Sequence, residues 1–240
     1  MKEDNYIYKH DSVRNSWKNF NIVLKNYLRK IISKQELSII LPWDVDYKTI
    51  GEIGGRLLED FFLNKLIEES KTDERVSFIR VKARSIGDLE CEYLFNDMKY
   101  TFHIDIKCNY SMMRERTLEY YKKYQLKGTK PGESHPNLMA VSKLKKFVED
   151  GHHNHSDIVE LFFSYDIEKK DNKVNFIIED EFSQEKLFLI RDLGENNFTV
   201  GNLGRGQIQM YRFHDLKFEK RSIQEFLLLV EKKHNKIKPK

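Results

Sequence analysis

Residues 85–109, SIGDLECEYLFNDMKYTFHIDIKCN, decide the fold. A two-residue turn at Asn96 and Asp97 predicts a β-hairpin that pairs Leu89 with Ile104 and sorts the side chains into two uniform faces. The apolar face consists of Leu89, Cys91, Tyr93, Tyr100, Phe102, Ile104 and Ile106. The polar face consists of Asp88, Glu90, Glu92, Thr101, His103, Asp105 and Lys107. Because a slip of one residue would mix the two faces, the pattern predicts a single register.

The polar face carries groups that could perform chemistry. In the predicted register Asp88 lies across from Asp105, and their carboxylates are the hard oxygen ligands that Mg²⁺ prefers. Lys107 lies two residues beyond Asp105 on the same side, where it could orient or deprotonate a nucleophile or offset the charge of a phosphate. An amphipathic hairpin with a solvated charged face has the same pattern, and Asp105 with Lys107 could be an ordinary surface pair.

The composition is typical of a single globular domain. The chain has 240 residues, of which 40% are hydrophobic and 33% charged, and its net charge is only +4. Two cysteines without CxxC spacing exclude a disulfide framework and a zinc knuckle. Since there is no apolar run of about 18 residues and no signal-peptide core, we expect a soluble cytoplasmic protein with no membrane partner.

Two helices are predicted before the hairpin, at 13–33 and 47–70, separated by a short strand at 37–41. Trp43 is predicted to be a core aromatic. The second helix contains three glycines, Gly51, Gly54 and Gly55. Each glycine costs helix stability of about 1 kcal/mol relative to alanine, so the cluster suggests that another backbone, from a nucleic acid or a partner subunit, approaches closely.

The acidic residues of the helix at 47–70 need an explanation because most of its circumference is apolar. Glu59, next to Phe62 and Leu63, is predicted to be a third carboxylate of a metal site, since an unpaired buried carboxylate is costly. Glu52 is predicted to border solvent or to pair with Arg56.

Two regions after the hairpin carry side chains suited to contacting DNA. A predicted helix at 114–125 interleaves tyrosines with basic residues, and a glycine- and proline-containing loop follows at 127–137. The predicted contacts in these two segments are Lys122, Lys123, Lys127, Lys130 and Asn137. In the glycine-rich segment 201–209, Arg205, Gln207 and Gln209 are of types that read guanine and adenine edges. A solvated helix face and an inert glycine-rich turn are the alternatives.

The C-terminal half is predicted to be rich in β-structure. Its strands are predicted at 159–165, 174–178, 187–191, 198–200 and 207–213, and one further strand, at 77–82, leads into the hairpin. Helices are predicted at 142–150 and 222–235, the second opened by a capping box.

Gly87-Asp88 followed by Asp105-Ile106-Lys107 resembles the signature of the restriction-endonuclease-like nucleases, which is Pro-Asp, a spacer, then Asp or Glu, any residue, and Lys. The helical segment GGRLLEDFF, which contains Glu59, is similar to the helix that supplies an extra glutamate in the mismatch-repair nicking enzyme and several type II restriction enzymes. The resemblance covers 54–107. It departs from the family at Gly87, where proline is usual, but the aspartate is the residue that binds metal.

The resemblance implies an α/β fold with a restriction-endonuclease-like core, in which a mixed β-sheet is flanked by helices, and a β-rich C-terminal half. One endonuclease domain, 1–240, would hold a core at about 47–165, DNA-recognition elements within 111–215 and a C-terminal helix at 222–235. Asp88 and Asp105 would bind Mg²⁺. Glu59 would assist them, and Lys107 would position the attacking water.

Chain size and the absence of helicase or ATPase motifs fit a stand-alone type II restriction endonuclease. Such an enzyme would be a homodimer on double-stranded DNA, with a cognate DNA methyltransferase acting on the same site without a stable complex. A DNA-repair or mobile-element endonuclease with the same site is an alternative. A second alternative is a non-catalytic nucleic-acid-binding protein whose acidic face is only a surface.

Overall fold

The structure is a computed structural model that describes most of the chain. The described residues are 11–34, 37–82, 85–110, 137–178, 182, 186–201, 206–210 and 216–237. The helix predicted at 114–125 and all but the last residue of the loop predicted at 127–137 lie outside these ranges. Within them, no helix is both long enough and apolar enough to cross a membrane.

The described residues form four α-helices. They are Ser12–Lys34 (α1), Tyr47–Ser70 (α2), Val141–Glu149 (α3) and Ile223–Ile237 (α4). Each lies within a few residues of a predicted helix. The predicted capping box opens α4, since Glu225 N donates to Ser222 Oγ at 3.2 Å and Ser222 N donates to Glu225 Oε2 at 2.6 Å.

Ten strands form two sheets in the described part of the chain. They are Leu37–Ile40 (β1), Val76–Arg80 (β2), Leu89–Phe95 (β3), Met98–Tyr110 (β4), Asn137–Ala140 (β5), Ser156–Lys170 (β6), Lys173–Ile178 (β7), Leu187–Leu189 (β8), Phe198–Gly201 (β9) and Gln207–Met210 (β10). The larger sheet has the order β1-β7-β6-β4-β3-β2, with β8 also paired to β6. Its β4–β6 pairing is parallel and the other pairings are antiparallel. The smaller antiparallel sheet has the order β5-β10-β9.

The hairpin formed by β3 and β4 has the predicted register. Leu89 pairs with Ile104, and the pairing continues without a shift to Phe95 and Met98. The turn residues Asn96 and Asp97 have φ values of 51° and 61°, as a type I′ turn requires. All seven residues of the predicted apolar face are buried, so the hydrophobic pattern specified the register correctly.

Helices cover both faces of the larger sheet. On one face, Phe20 of α1 stacks on Phe102 of β4 with ring centroids 4.8 Å apart. On the other, Phe162 of β6 belongs to a second core with Phe147 of α3 and Phe226 of α4. The chain is therefore a mixed α/β protein with a mixed sheet flanked by helices and a strand-rich C-terminal half, as predicted.

A buried ionic network connects the start of α1 to the C-terminal half. Arg191 Nε lies 2.7 Å from Asp157 Oδ2, and Arg191 Nη1 lies 2.6 Å from Asp11 Oδ2. Arg14 forms a two-pronged pair with Asp192, at 2.6 and 2.7 Å. Because Asp157 is only 2% exposed, this network places paired charges inside the protein rather than on its surface.

The glycines of α2 allow a close approach, but the neighbour is the chain's own sheet. A Cβ added at Gly54 would lie 2.5 Å from the ring of Phe176, and one at Gly55 would lie 3.2 Å from the carbonyl oxygen of Cys108. The prediction of a close approach is therefore explained without a nucleic acid or a partner subunit at these two positions. Helix α2 instead packs directly on the sheet beside the end of β4.

The prediction that Trp43 belongs to the core is wrong. Its side chain is 68% exposed. Strand β1 is at the edge of the larger sheet and ends at Ile40, so no strand of the described ranges lies on that side to cover the residues beyond it.

Candidate active site

The site is formed where β3 separates from β4. Their ladder ends just after Leu89 and Ile104, where Asp88 N donates to Ile104 O at 2.8 Å. Beyond that point β4 continues without β3 beside it. On the side that β3 has left, carboxylates accept hydrogen bonds from the next two backbone amides of β4. Ile106 N donates to Asp88 Oδ2 at 2.9 Å, and the next such N–H, from Cys108, reaches a carboxylate of α2.

Glu59 is that carboxylate of α2. Cys108 N donates to Glu59 Oε1 at 3.3 Å, and the side chain is half-buried. Burial raises the pKa of Glu59, and the negative charge of Asp88 adds to this, although the Cys108 amide and Lys107 oppose it. The predicted third carboxylate therefore lies within electrostatic range of the hairpin residues.

Gly87 sets the position of Asp88. Its φ is +67°, and an added Cβ would lie 2.7 Å from the carbonyl oxygen of Ile104. Proline, with φ near −65°, cannot adopt this backbone. The departure from the Pro-Asp pattern therefore has a physical cause, because the turn into β3 passes through a conformation that favours glycine.

We expect Gly87→Ala to destabilise the fold by more than the cost of the left-handed backbone alone, which is about 1–2 kcal/mol. The added methyl group would also displace the backbone of Ile104. The matched control is Gly151→Ala, because Gly151 has φ +72° but a Cβ added there would lie at an ordinary 3.6 Å from Asn154 Nδ2. Urea unfolding measures both, and equal losses of stability would contradict this explanation.

Asp105 and Lys107 form an ion pair at the end of β4. Lys107 Nζ lies 2.6 Å from Asp105 Oδ2, and Asp105 is only 9% exposed. Burial, opposed by the charge of Lys107, raises the pKa of Asp105 to about 7. Burial lowers the pKa of Lys107, but the charges of Asp105 and Glu160 outweigh burial and raise it above its ordinary value. Lys107 is therefore an ammonium at neutral pH.

Glu160 is a site residue that the sequence analysis missed. It pairs with Asp105 in the parallel register of β4 and β6, so both side chains lie on the same face. Glu160 is fully buried, and in the described part of the chain no donor reaches either of its oxygens, while its carboxyl group interacts with that of Asp105. Burial and the charge of Asp105 raise its pKa well above the ordinary value. A lone acid inside the apolar run of β6 was the available signal.

A cavity of about 360 Å³ borders the site. Asp88 and Asp105 line it, together with Lys143 of α3 and Gln207 of β10. Lys143 Nζ donates to the backbone oxygen of Ser85 at 2.7 Å. A second cavity of about 690 Å³ shares Ser85 and Lys143 with the first. The two carboxylates thus border a space in which a basic side chain could contact a phosphate.

Three of the predicted DNA-contacting residues lie in the described part of the chain. Gln207 lines the cavity beside Asp88 and Asp105. Gln209 Nε2 donates to Asn137 Oδ1 at 2.8 Å, so these two amides bind each other. The other predicted contacts lie outside the described residues, and they are Lys122, Lys123, Lys127, Lys130 and Arg205.

The residues of the site fit a hard divalent cation by their chemistry. Four carboxyl groups lie within electrostatic range of Lys107 or of one another, and they are Glu59, Asp88, Asp105 and Glu160. The oxygens of Glu160, which no donor among the described side chains reaches, favour an added positive charge. Among the described residues, however, no three Asp, Glu, His or Cys side chains are arranged around a common metal position. Asp105 is turned toward Lys107 instead.

Comparisons with known proteins assign no family to this geometry. No protein-family model matches the chain, and no curated protein sequence matches it. Its function must therefore be inferred from its own residues.

Proposed function

We propose that the chain is a magnesium-dependent endonuclease with a restriction-endonuclease-like core. More specifically, we propose a type II restriction endonuclease that acts on double-stranded DNA as a homodimer. The observation that carries the proposal is the convergence of the four residues predicted for this role at the point where β3 leaves β4. They are Glu59, Asp88, Asp105 and Lys107.

The order of the elements supports the proposed core. Helix α2 precedes three antiparallel strands, β2, β3 and β4, and α3 leads to β6, which lies parallel to β4. Asp88 directly precedes β3, and Asp105 lies in the neighbouring β4 just beyond its last pair with β3. This is the mixed sheet flanked by helices that the resemblance implies.

Burial favours an active site over a solvated acidic surface. Asp105 is 9% exposed, and its neighbour Glu160 is fully buried. Surface ion pairs contribute little, whereas buried carboxyl groups carry a desolvation penalty that a purely solvated face would avoid. The non-catalytic alternative, in which the polar face of the hairpin is only a surface, does not explain these burials.

The residues can divide the work of phosphodiester hydrolysis between them. Asp88 and Asp105 would hold the ion, with Glu59 assisting. A bound Mg²⁺ would supply positive charge for the phosphate and a more acidic water. Lys107, as an ammonium, would orient the attacking water or offset phosphate charge by donating hydrogen bonds, and it would not act as the base in this protonation state. Lys143, at the rim of the cavity, is suited to a backbone phosphate.

The direct test is cleavage of plasmid and phage DNA by the purified protein, with and without Mg²⁺. Discrete fragments that require Mg²⁺ would support a restriction endonuclease. Magnesium-dependent random nicking would support the repair or mobile-element alternative. If circular dichroism shows that the protein is folded and it still does not cleave DNA, both proposed enzyme functions are refuted.

A further inference from the structure

Glu160 occupies a position where an apolar side chain would be more stable. Its neighbours on the same face of β6 are Ile158 and Phe162, both 1% exposed and both part of the second core. Burying a carboxyl group without hydrogen bonds is unfavourable, and buried polar groups in proteins nearly always have partners. Among the described residues no donor reaches either oxygen of Glu160, and its polar neighbour is another acid, Asp105, so this pair of carboxyl groups calls for a positively charged partner.

Lys107, the ammonium whose charge acts on both Asp105 and Glu160, is already paired with Asp105. Lys107 Nζ lies 2.6 Å from Asp105 Oδ2. If Glu160 ionised beside this pair, the two carboxylates and one ammonium would leave a net negative charge in a buried place, and for that reason its pKa is raised and its ionisation needs a further positive charge. A hard divalent cation would balance that charge and would also give the carboxylate oxygens a ligand of the kind they bind best.

We infer that Glu160 is a further carboxylate of the divalent-cation site, serving with Asp88 and Asp105 as an oxygen donor. The parallel register places Glu160 directly beside Asp105, on the side of β4 away from β3. Acidic side chains therefore reach the site from both sides of β4. The inference rests on the proposed function for its choice of Mg²⁺ but is tested by cation binding alone.

The test compares Glu160→Gln with the unaltered protein by calorimetric titration with Ca²⁺ and by the shift in Tm that Ca²⁺ or Mg²⁺ produces. We expect the variant to bind Ca²⁺ at least about 10- to 100-fold more weakly, because that much is lost when even a group that only supports a metal ligand is removed. Its Tm in EDTA should equal or exceed that of the unaltered protein, because a neutral amide replaces a buried carboxyl group.

Glu168→Gln is the matched control, since Glu168 lies on the same strand but is exposed. It should leave the affinity for Ca²⁺ unchanged. If the glutamine variant does not fold, Glu160→Met, which resembles its apolar neighbours, gives the same comparison.

Two outcomes would overturn the inference: an unchanged affinity for Ca²⁺ in the Glu160 variant, or no binding of divalent cations by the unaltered protein. Cation binding that depends on Glu160, without any DNA cleavage, would support the inference while refuting the proposed nuclease. DNA cleavage together with a cation affinity that does not depend on Glu160 would support the proposed nuclease and refute the inference.

Discussion

Alanine in place of Lys107 is expected to abolish magnesium-dependent cleavage while DNA binding survives. The ammonium is mostly buried and lies beside Asp105, where it would orient water or donate to the phosphate. Removing one donor of this kind costs about 10²- to 10³-fold in rate. Loss of supercoiled plasmid measures cleavage, and fluorescence anisotropy in Ca²⁺ measures DNA binding.

Asp105→Ala should give the same result, since it would remove a proposed ligand of the ion. Lys99→Ala is the control, because Lys99 belongs to the same hairpin but is 73% exposed in its pair with Glu92. Retained cleavage in either the Lys107 or the Asp105 variant would refute the assigned site. Circular dichroism of each variant separates lost chemistry from lost folding.

Methionine in place of Arg191 should lower the free energy of unfolding by about 3–5 kcal/mol, the usual loss when one partner of a buried ion pair is removed. The substitution keeps most of the apolar volume of the side chain but leaves the buried Asp157 without its arginine partner. Urea unfolding measures the loss. Arg75→Met is the control, since Arg75 is 59% exposed in its pair with Asp73 and should contribute less than about 1 kcal/mol.

The loss of unfolding free energy in the Arg191→Met variant should also depend on pH. Burial, opposed by the charge of Arg191, raises the pKa of Asp157 to about 6. Because this folded-state pKa is above the unfolded value, protonation of Asp157 favours folding, and its stabilising contribution is lost as the pH rises from about 4 through 6. Without Arg191 the pKa of Asp157 rises further, so the variant should lose more stability at pH 8 than at pH 5. A loss below about 1 kcal/mol at pH 8 would contradict a stabilising role for the network.

The hairpin could be predicted from sequence because its evidence is local. Two strands joined by two residues have few registers, and the alternation of side chains selects one of them. That register brought Asp88 beside Asp105, and the helical pattern of α2 identified Glu59 as an acid that needed a reason. The residues predicted from one short stretch and one helix are therefore the ones that the fold brings together.

Glu160 could not be found in the same way because its position depends on a long-range pairing. Strands β4 and β6 are joined through α3, and no local pattern fixes the register of such a parallel pair. In an all-buried strand the alternation that marks a register is also absent. The positive φ of Gly87 is similarly a consequence of tertiary packing, here against Ile104, and glycine alone does not reveal it.

Asp88 and Glu59 accept hydrogen bonds from backbone amides of β4, whereas no such backbone bond is described for Asp105 or Glu160. Substitutions at the two pairs should therefore be tolerated differently. Asp88 and Glu59 each complete a backbone hydrogen bond that no third strand provides, and an unpaired buried amide costs about 1–3 kcal/mol. Selection for folding alone would therefore preserve both. In a descendant that had lost the proposed nuclease activity, Asp105, Lys107 and Glu160 would be free to become apolar, while Asp88 and Glu59 would persist because they complete the backbone hydrogen bonding.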